Sequence, residues 1–446
     1  MRYPPGPKSI LGCYFSLRRD PLAFLVRIAR RHGNLVHMRW GNRRDFLLNH
    51  PDYIKQVLSA KEGLSRSSLR SLRKLLGAGL LTSDGEFHHR NRRMIAPVLG
   101  RKHSATWAAA IVEHSVRLGR GWHTGQTVDI DQQMARLALT NILKLLLSPD
   151  IDTEGLELLR ALGRVTSLAN QNTFPSLTEL LLSVPTNGHR RLERATAELD
   201  AVVHKIIAQR RTGNPEAQYM LASMLALRDK FDSTGMSDRQ LRDEVITLMV
   251  AGQETMGSAL TWTWYLIAQH PAVEARLHVE LDTVLGGRLP TMDDLPRLSY
   301  TEMVLLESMR LYPPVWVFTR RPLQDYELGG YDIPAGSFLQ LSPYVTHRDP
   351  RYFPEPELFD PERWQPDRIA ARNHYTYFPF AGGIHRCIGE GVAMSEGVLT
   401  LATLAQQYRL RLPSGYRARP VALITIRPKN GLPMIVEARQ NGGARP

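Results

Sequence analysis

The stretch that most narrows what this chain can fold into is Phe380-Ala381-Gly382-Gly383-Ile384-His385-Arg386-Cys387-Ile388-Gly389. Gly383 and Gly389 bracket the cysteine and Gly382 adds a third permissive position. Glycines of this kind let the backbone take a positive φ and lie close against a large flat ligand. A helix is expected to begin just after Cys387 and to run through Glu396 to Tyr408. A thiolate at a helix N-terminus is favoured by the macrodipole and by the unbonded N–H groups of the first turn. The other cysteine, Cys13, lies far away in sequence. Two such cysteines make no disulfide framework, which points to a reducing compartment and leaves Cys387 to be explained by its surroundings.

The bulk numbers exclude little else. Hydrophobic residues make up 43% of the 446 and charged residues 22%, which is ordinary for a globular chain and excludes a disordered one. Lys and Arg outnumber Asp and Glu by 57 to 43, a formal charge of +14. That excess suits a nucleic acid, an anionic surface or an acidic protein partner, and composition does not choose among them. No signal-peptide core follows Met1, and no apolar run is long enough to span a bilayer, so no transmembrane segment and a cytoplasmic location are expected.

Most of the chain reads as amphipathic helix. Residues 22–31 follow a capping Asp20 and a first-turn Pro21. Residues 128–147, 190–211 and 237–269 read as longer helices, the last more apolar and therefore central. Residues 35–40 and 45–49 flank Gly41-Asn42, a hairpin turn, and 326–334 with 337–344 suggest a second hairpin turned at Ala335-Gly336. Residues 347–364 are rich in Pro, Arg, Asp and Phe and read as an ordered meander. No composition shift marks a boundary. The expectation is one domain over 1–446, a helix-rich body plus a strand-rich lobe from about 35–50 and 315–345.

Three further constellations bear on chemistry. Within the central helix lies Ala251-Gly252-Gln253-Glu254-Thr255, where Gly252 and Thr255 share a face. A glycine inside a helix costs about 1 kcal/mol relative to alanine, sensible if a ligand presses on the backbone. A helix-packing glycine beside a surface acid would read the same way. Glu307 and Arg310 also share a helix face, a pair worth a few tenths of a kcal/mol if exposed. Pro361-Glu362-Arg363-Trp364 sits in the meander.

These four motifs, in this order, resemble the cytochrome P-450 superfamily, and the likeness runs from the Pro-Pro-Gly-Pro start to Arg427-Pro428. Ala381 departs from it where glycine is frequent, and Met256 where a second threonine is common. The resemblance implies the P-450 fold, mainly α with small β-sheets, and a soluble bacterial-type haem-thiolate monooxygenase carrying haem b. It makes Cys387 the axial ligand of the iron, a thiolate that pushes electron density toward the metal to promote O–O cleavage. Phe380, Gly383, Gly389, Ala251 and Gly252 would lie against the haem. His385, His88, Arg92 and Arg320 would meet its propionates, with Arg93 and Arg321 as register alternatives. Thr255, with Glu254 behind it, would relay protons to dioxygen. Glu307, Arg310 and Arg363 would form a buried structural triad beneath the cysteine loop.

A distal pocket of Leu72, Leu76, Leu81, Val315, Val317 and Ile424 would be apolar and would take a hydrophobic small molecule, a fatty acid, terpene or polyketide. No flavin, nicotinamide or iron–sulfur motif is visible. Electrons are therefore expected from a ferredoxin or flavodoxin with its reductase, docking near Cys387 through Arg93, Arg372 and Arg386. No nucleic acid is expected as a partner, and the protein is read as a monomer. Two alternatives stand beside this reading. One is a peroxide-driven or non-oxygenating haem-thiolate enzyme, against which Thr255 and Glu254 argue. The other is a non-catalytic haem sensor, which no attached regulatory domain supports.

Overall fold

Start signals in the sequence place the first elements. In the computed structural model of the chain, Asp20 accepts a hydrogen bond from the Ala23 amide at 3.0 Å, and Pro21 opens a helix that runs to His32. Its apolar face, Phe24, Leu25 and Ile28, packs on Val36, Met38 and Leu47. The structure describes residues 1–8, 10–65, 73, 75–100, 104–147, 153–171, 187–211, 219–231 and 233–439. These group into two compact units, one of Met1–Ser68, Ser115–Met134 and Thr255–Pro446, the other of Leu69–His114 and Ala135–Glu254.

The first unit holds the sheets. Leu35–Trp40 and Arg43–Leu48 pair antiparallel with Trp40 opposite Arg43, leaving Gly41-Asn42 as the turn. Arg43–Leu48 continues parallel to Phe338–Leu341, which pairs with Phe318–Pro322, and Leu64–Ser65 closes the five-stranded sheet. Phe46, Leu48, Leu339 and Leu341 share one buried cluster with Ile54 and Leu58. The expected second hairpin is different. Its strands are Tyr326–Leu328 and Tyr331–Ile333, and they turn at Gly329-Gly330 rather than at Ala335-Gly336. A type I′ hairpin turn has positive φ at both central positions, which glycine takes without strain. Gly329 at 60° and Gly330 at 76° supply it, and Phe338–Leu341 is left to join the larger sheet. Val128 likewise belongs to a short strand, Thr127–Asp129, against Pro433–Ala438; the helix starts at Ile130.

The second unit is helical among its described residues. Thr153–Gln171 packs on Asn187–Arg211, burying Leu158, Leu162 and Val165 on one and Leu199, Val203 and Ile206 on the other. The long helix Asp238–Gln269 carries residues of both units. Among the described residues no helix is long and apolar enough to cross a membrane.

What fixes the meander is a charge with no solvent contact. Glu307 and Arg310, both on the helix Ser299–Leu311, are fully buried. Arg310 uses all five N–H donors, two on the Glu307 carboxylate at 2.8 Å each and three on the carbonyls of His347, Pro356 and Leu358. Glu307 also accepts from the Trp364 indole at 2.9 Å and the Asp360 amide at 3.1 Å. Arg363 Nε lies 3.3 Å from the same carboxylate. That contact is an ion pair without hydrogen-bond alignment, and the arginine donates instead to the Glu355 carbonyl at 3.0 Å.

Arg310→Ala leaves a buried carboxylate without its main partner and is expected to cost about 3–5 kcal/mol. Arg310→Lys should recover only part, because an ammonium has three donors and no planar fork. Urea unfolding checks this, and a wild-type midpoint for Arg310→Ala contradicts it.

Candidate functional site

Cys387 sits in a loop closed by a hydrogen bond from its own amide to the Phe380 carbonyl, 3.0 Å. Ala381 N–H bonds to Phe378 O at 3.0 Å, and Phe378 N–H donates to His347 Nε2 at 3.1 Å. His347 is the residue whose carbonyl Arg310 grips, so the charged brace reaches the cysteine loop through one side chain. His347 is fully buried, and burial holds its ring well below the usual histidine range. The helix after the loop, Glu390–Ala405, begins at Gly389. Arg386 forks onto Glu390 in its first turn at 2.6 and 2.9 Å, which holds the guanidinium firmly charged beside the sulfur.

The glycines of this loop have separate reasons. Gly383 has a φ of 63°, and a Cβ there would stand 1.8 Å from the Leu58 carbonyl oxygen, so no other residue fits. Gly389 has an ordinary φ of −89°. A Cβ on it would meet only the Cys387 sulfur, at 3.8 Å. The protein itself therefore does not demand a glycine at 389; bareness there keeps open the space beside the sulfur. Cys387 is exposed, unlike buried Cys13. An exposed thiol just before a helix, with a paired arginine next to it in the chain, is a donor set that fits haem iron.

Candidate cations are sorted by what already holds their neighbours. On the strand Phe318–Pro322, Arg320 points to the buried face, 5% exposed, and donates to the Thr319 carbonyl at 2.9 Å. Arg321 faces the other way and bonds the Gly336 carbonyl at 2.8 Å. In the second unit, His88 and Arg92 lie on the helix Gly85–Ile95. Arg93 is committed to Asp229 at 2.8 Å and lies over the Phe231 ring. Arg93 and Arg321 thus each have a protein partner of their own, a carboxylate and a carbonyl. His88 is buried, and its Nδ1–H is donated to the Leu80 carbonyl at 3.2 Å. His385, half-buried, ends the short 3-10 turn Gly383–His385 beside the cysteine. Arg372 lies over the Trp364 and Phe353 rings and donates to the Arg363 carbonyl at 2.8 Å, while Arg93 and Arg386 are engaged as described.

On the long helix Glu254 is buried, and Ala251, Gly252 and Thr255 are half-buried. A Cβ on Gly252 would meet the Ile142 side chain at 3.0–3.3 Å. Tight packing between helices is thus one reason for that glycine, a reason the sequence could not separate from ligand approach. Met256 is buried next to Gly397 of the helix after the cysteine: a Cβ on Gly397 would lie 3.4 Å from the Met256 methyl and 2.3 Å from Leu305. The Cys387 helix and the Thr255 segment therefore meet within the first unit. One turn on, Ser258 and Trp262 both donate to the Ile426 carbonyl, at 2.7 and 2.9 Å, and pin the late turn that carries Ile424. Trp316 holds the same turn through the Leu423 carbonyl at 2.9 Å.

Of the expected pocket residues, Val315, Val317, Ile424 and Leu81 are half-buried and keep some surface for a ligand. Leu76 is fully buried and belongs to the core, where an apolar side chain in a tight glycine-rich turn finds its contacts. Leu72 lies outside the described residues. Several participants were not foreseen: Trp364 and His347 in the brace, and Asp243, Glu244 and Asn91 in the second unit. Two consecutive acids directly before the largely apolar run 245–250 were a signal available in the sequence.

The family model described as Cytochrome P450 matches residues 3–431. A cyclooctat-9-en-7-ol 5-monooxygenase of Streptomyces melanosporofaciens is 36% identical over 91% of this chain and 89% of its own. A pentalenene oxygenase of Streptomyces avermitilis is 32% identical over 98% of this chain and 97% of its own. Among solved structures, the haem domain of cytochrome P450DA superposes with a TM-score of 0.89 at 25% identity, covering 99% of both chains.

Ala381, at a φ of 59°, occupies the left-handed region that its alanine side chain disfavours. Relief of about 1–2 kcal/mol of strain should outweigh the roughly 0.4–1 kcal/mol that glycine adds to unfolded-chain entropy. Ala381→Gly is expected to raise the thermal midpoint modestly; a lowered midpoint contradicts the strain.

Proposed function

This chain belongs to the cytochrome P450 family and is a cytochrome P450 monooxygenase, and from that premise we propose that its substrate is a cyclic terpene. What carries the reading is near full-length similarity to relatives named for oxidising cyclooctatenol and pentalenene. The half-buried Val315, Val317 and Ile424 suit such a substrate, which burial alone can hold.

Bound through the Cys387 sulfur, haem b supplies the activation of dioxygen, from which one atom enters the substrate and the other leaves as water. The chain's own residues do the rest. The first turn of the helix Glu390–Ala405 and paired Arg386 favour the thiolate. Arg320 and His385 neutralise propionates, a role that the family resemblance also gives to Arg92 and His88. Ala251 and Gly252 offer their backbone to the haem, and Phe380 packs beside it. Thr255 holds a proton donor at the reacting oxygen, and Glu254 replenishes it. An acidic ferredoxin or flavodoxin with its reductase delivers the electrons, and the protein works as a cytoplasmic monomer.

Titrating the ferric protein with a cyclic diterpene alcohol, a cyclic sesquiterpene hydrocarbon and dodecanoic acid distinguishes the substrate classes. A terpene should shift the Soret band at concentrations at least tenfold lower than the fatty acid, a difference of about 1.4 kcal/mol. Tighter binding of dodecanoic acid contradicts the proposal.

A further inference from the structure

The second unit contains a buried acid that the proposed reaction does not use. On the long helix, Asp243 and Glu244 are consecutive, and both reach the segment that precedes the helix Gly85–Ile95. Asp243 Oδ2 accepts the Ala78 amide at 2.8 Å, and Glu244 Oε2 accepts the Leu80 amide at 2.9 Å. The two acceptors are consecutive on the helix, and the two amides lie two residues apart in the turn at 77–80. The fit is close. A Cβ on Gly77 would stand 2.1 Å from the Asp243 carboxylate, and one on Gly79 2.3 Å from the Thr247 hydroxyl.

Glu244 extends the contact into the next helix. Its Oε1 accepts from the Asn91 side chain at 2.8 Å, and Asn91 Oδ1 accepts from Gln240 at 2.6 Å. Leu80, whose amide Glu244 holds, presents its carbonyl to His88 at 3.2 Å. A single carboxyl therefore ties together Leu80, the turn before the helix, and Asn91, the neighbour of Arg92. We propose that Glu244 is a positioning residue for haem retention, setting in one register the turn at Leu80 and the helix that carries His88 and Arg92. This inference rests on the assignment of His88 and Arg92 to the haem.

Glu244 has no solvent exposure, and burial, with adjacent Asp243 adding to it, pushes its carboxyl up to about 8. The charged groups around it are Asp243 and Arg242 on its own helix, with Arg242 held by Asp200 and Asp243. From the turn and the following helix come Arg73, bonded to the Thr82 carbonyl, and His88. When the turn opens, Glu244 meets water and returns to an ordinary carboxylate value. The closed state is thus favoured most at low pH, and that advantage is lost as pH rises from about 5 through about 8.

The test uses hydrogen exchange of the ferric holoenzyme in peptides covering residues 75–95, corrected for intrinsic rates, between pH 5.5 and 8.5. Protection in the wild type should fall by at least tenfold more across this range than in Glu244→Gln, which cannot ionise. Glu244→Ala should lose protection in 75–95 at every pH while peptides over 426–438 stay unchanged, and should pass haem to apomyoglobin on the order of tenfold faster. Parallel pH profiles for wild type and Glu244→Gln overturn the proposal, as does a loss in Glu244→Ala spread evenly over both regions. Arg92→Ala separates the two claims. If haem transfer from Arg92→Ala matches the wild type, the assignment of that helix to the haem fails, whereas the exchange profiles judge Glu244 alone.

Discussion

A carboxylate with no water around it is expensive unless every lone pair is answered, and Glu307 meets that condition. Arg310 forks onto it, Trp364 and the Asp360 amide complete it, and Arg363 adds charge at one edge. The remaining donors of Arg310 are spent on three meander carbonyls. Because that network works only if every member is in place, it specifies one path for residues 347–364. His347 then passes the constraint to Phe378, and the Phe378–Cys387 turn follows from it. The sulfur is held rigidly by groups that never touch it.

Much of this architecture could be read from the sequence because it depends on local chemistry. Asp20-Pro21 starts a helix, Gly41-Asn42 turns a hairpin, and a cysteine among glycines before an apolar stretch marks a helix start. Fold and haem chemistry were legible through the four ordered motifs. What failed depended on competition between nearby signals or on partners distant in sequence. Gly329-Gly330 takes the turn that Ala335-Gly336 seemed to offer, because two glycines take positive φ at both positions without strain. Leu76 looked like any other pocket leucine until its complete burial placed it in the core.

Glycine shows the same limit in a sharper form. Gly383 is required by backbone geometry and a carbonyl at contact distance, Gly252 is packed closely against the Ile142 side chain, and a Cβ on Gly389 would meet only the Cys387 sulfur at ordinary contact distance. Sequence reading gave Gly383 and Gly389 to ligand approach and left helix packing open for Gly252. Arginine was equally ambiguous. Arg92 and Arg93, or Arg320 and Arg321, cannot be told apart by spacing, and only the fold shows that Arg93 is tied to Asp229 and Arg321 to Gly336.

The central claim is that the whole scaffold exists to present Cys387 to haem iron as a thiolate. The carbon monoxide difference spectrum of the dithionite-reduced protein tests it most directly. Wild type should give the red-shifted Soret band of a thiolate-ligated haem, and Cys387→His should lose that band while still taking up haem. A wild-type spectrum with only the shorter-wavelength band of nitrogen-ligated haem, or a Cys387→His spectrum identical to wild type, would contradict the account.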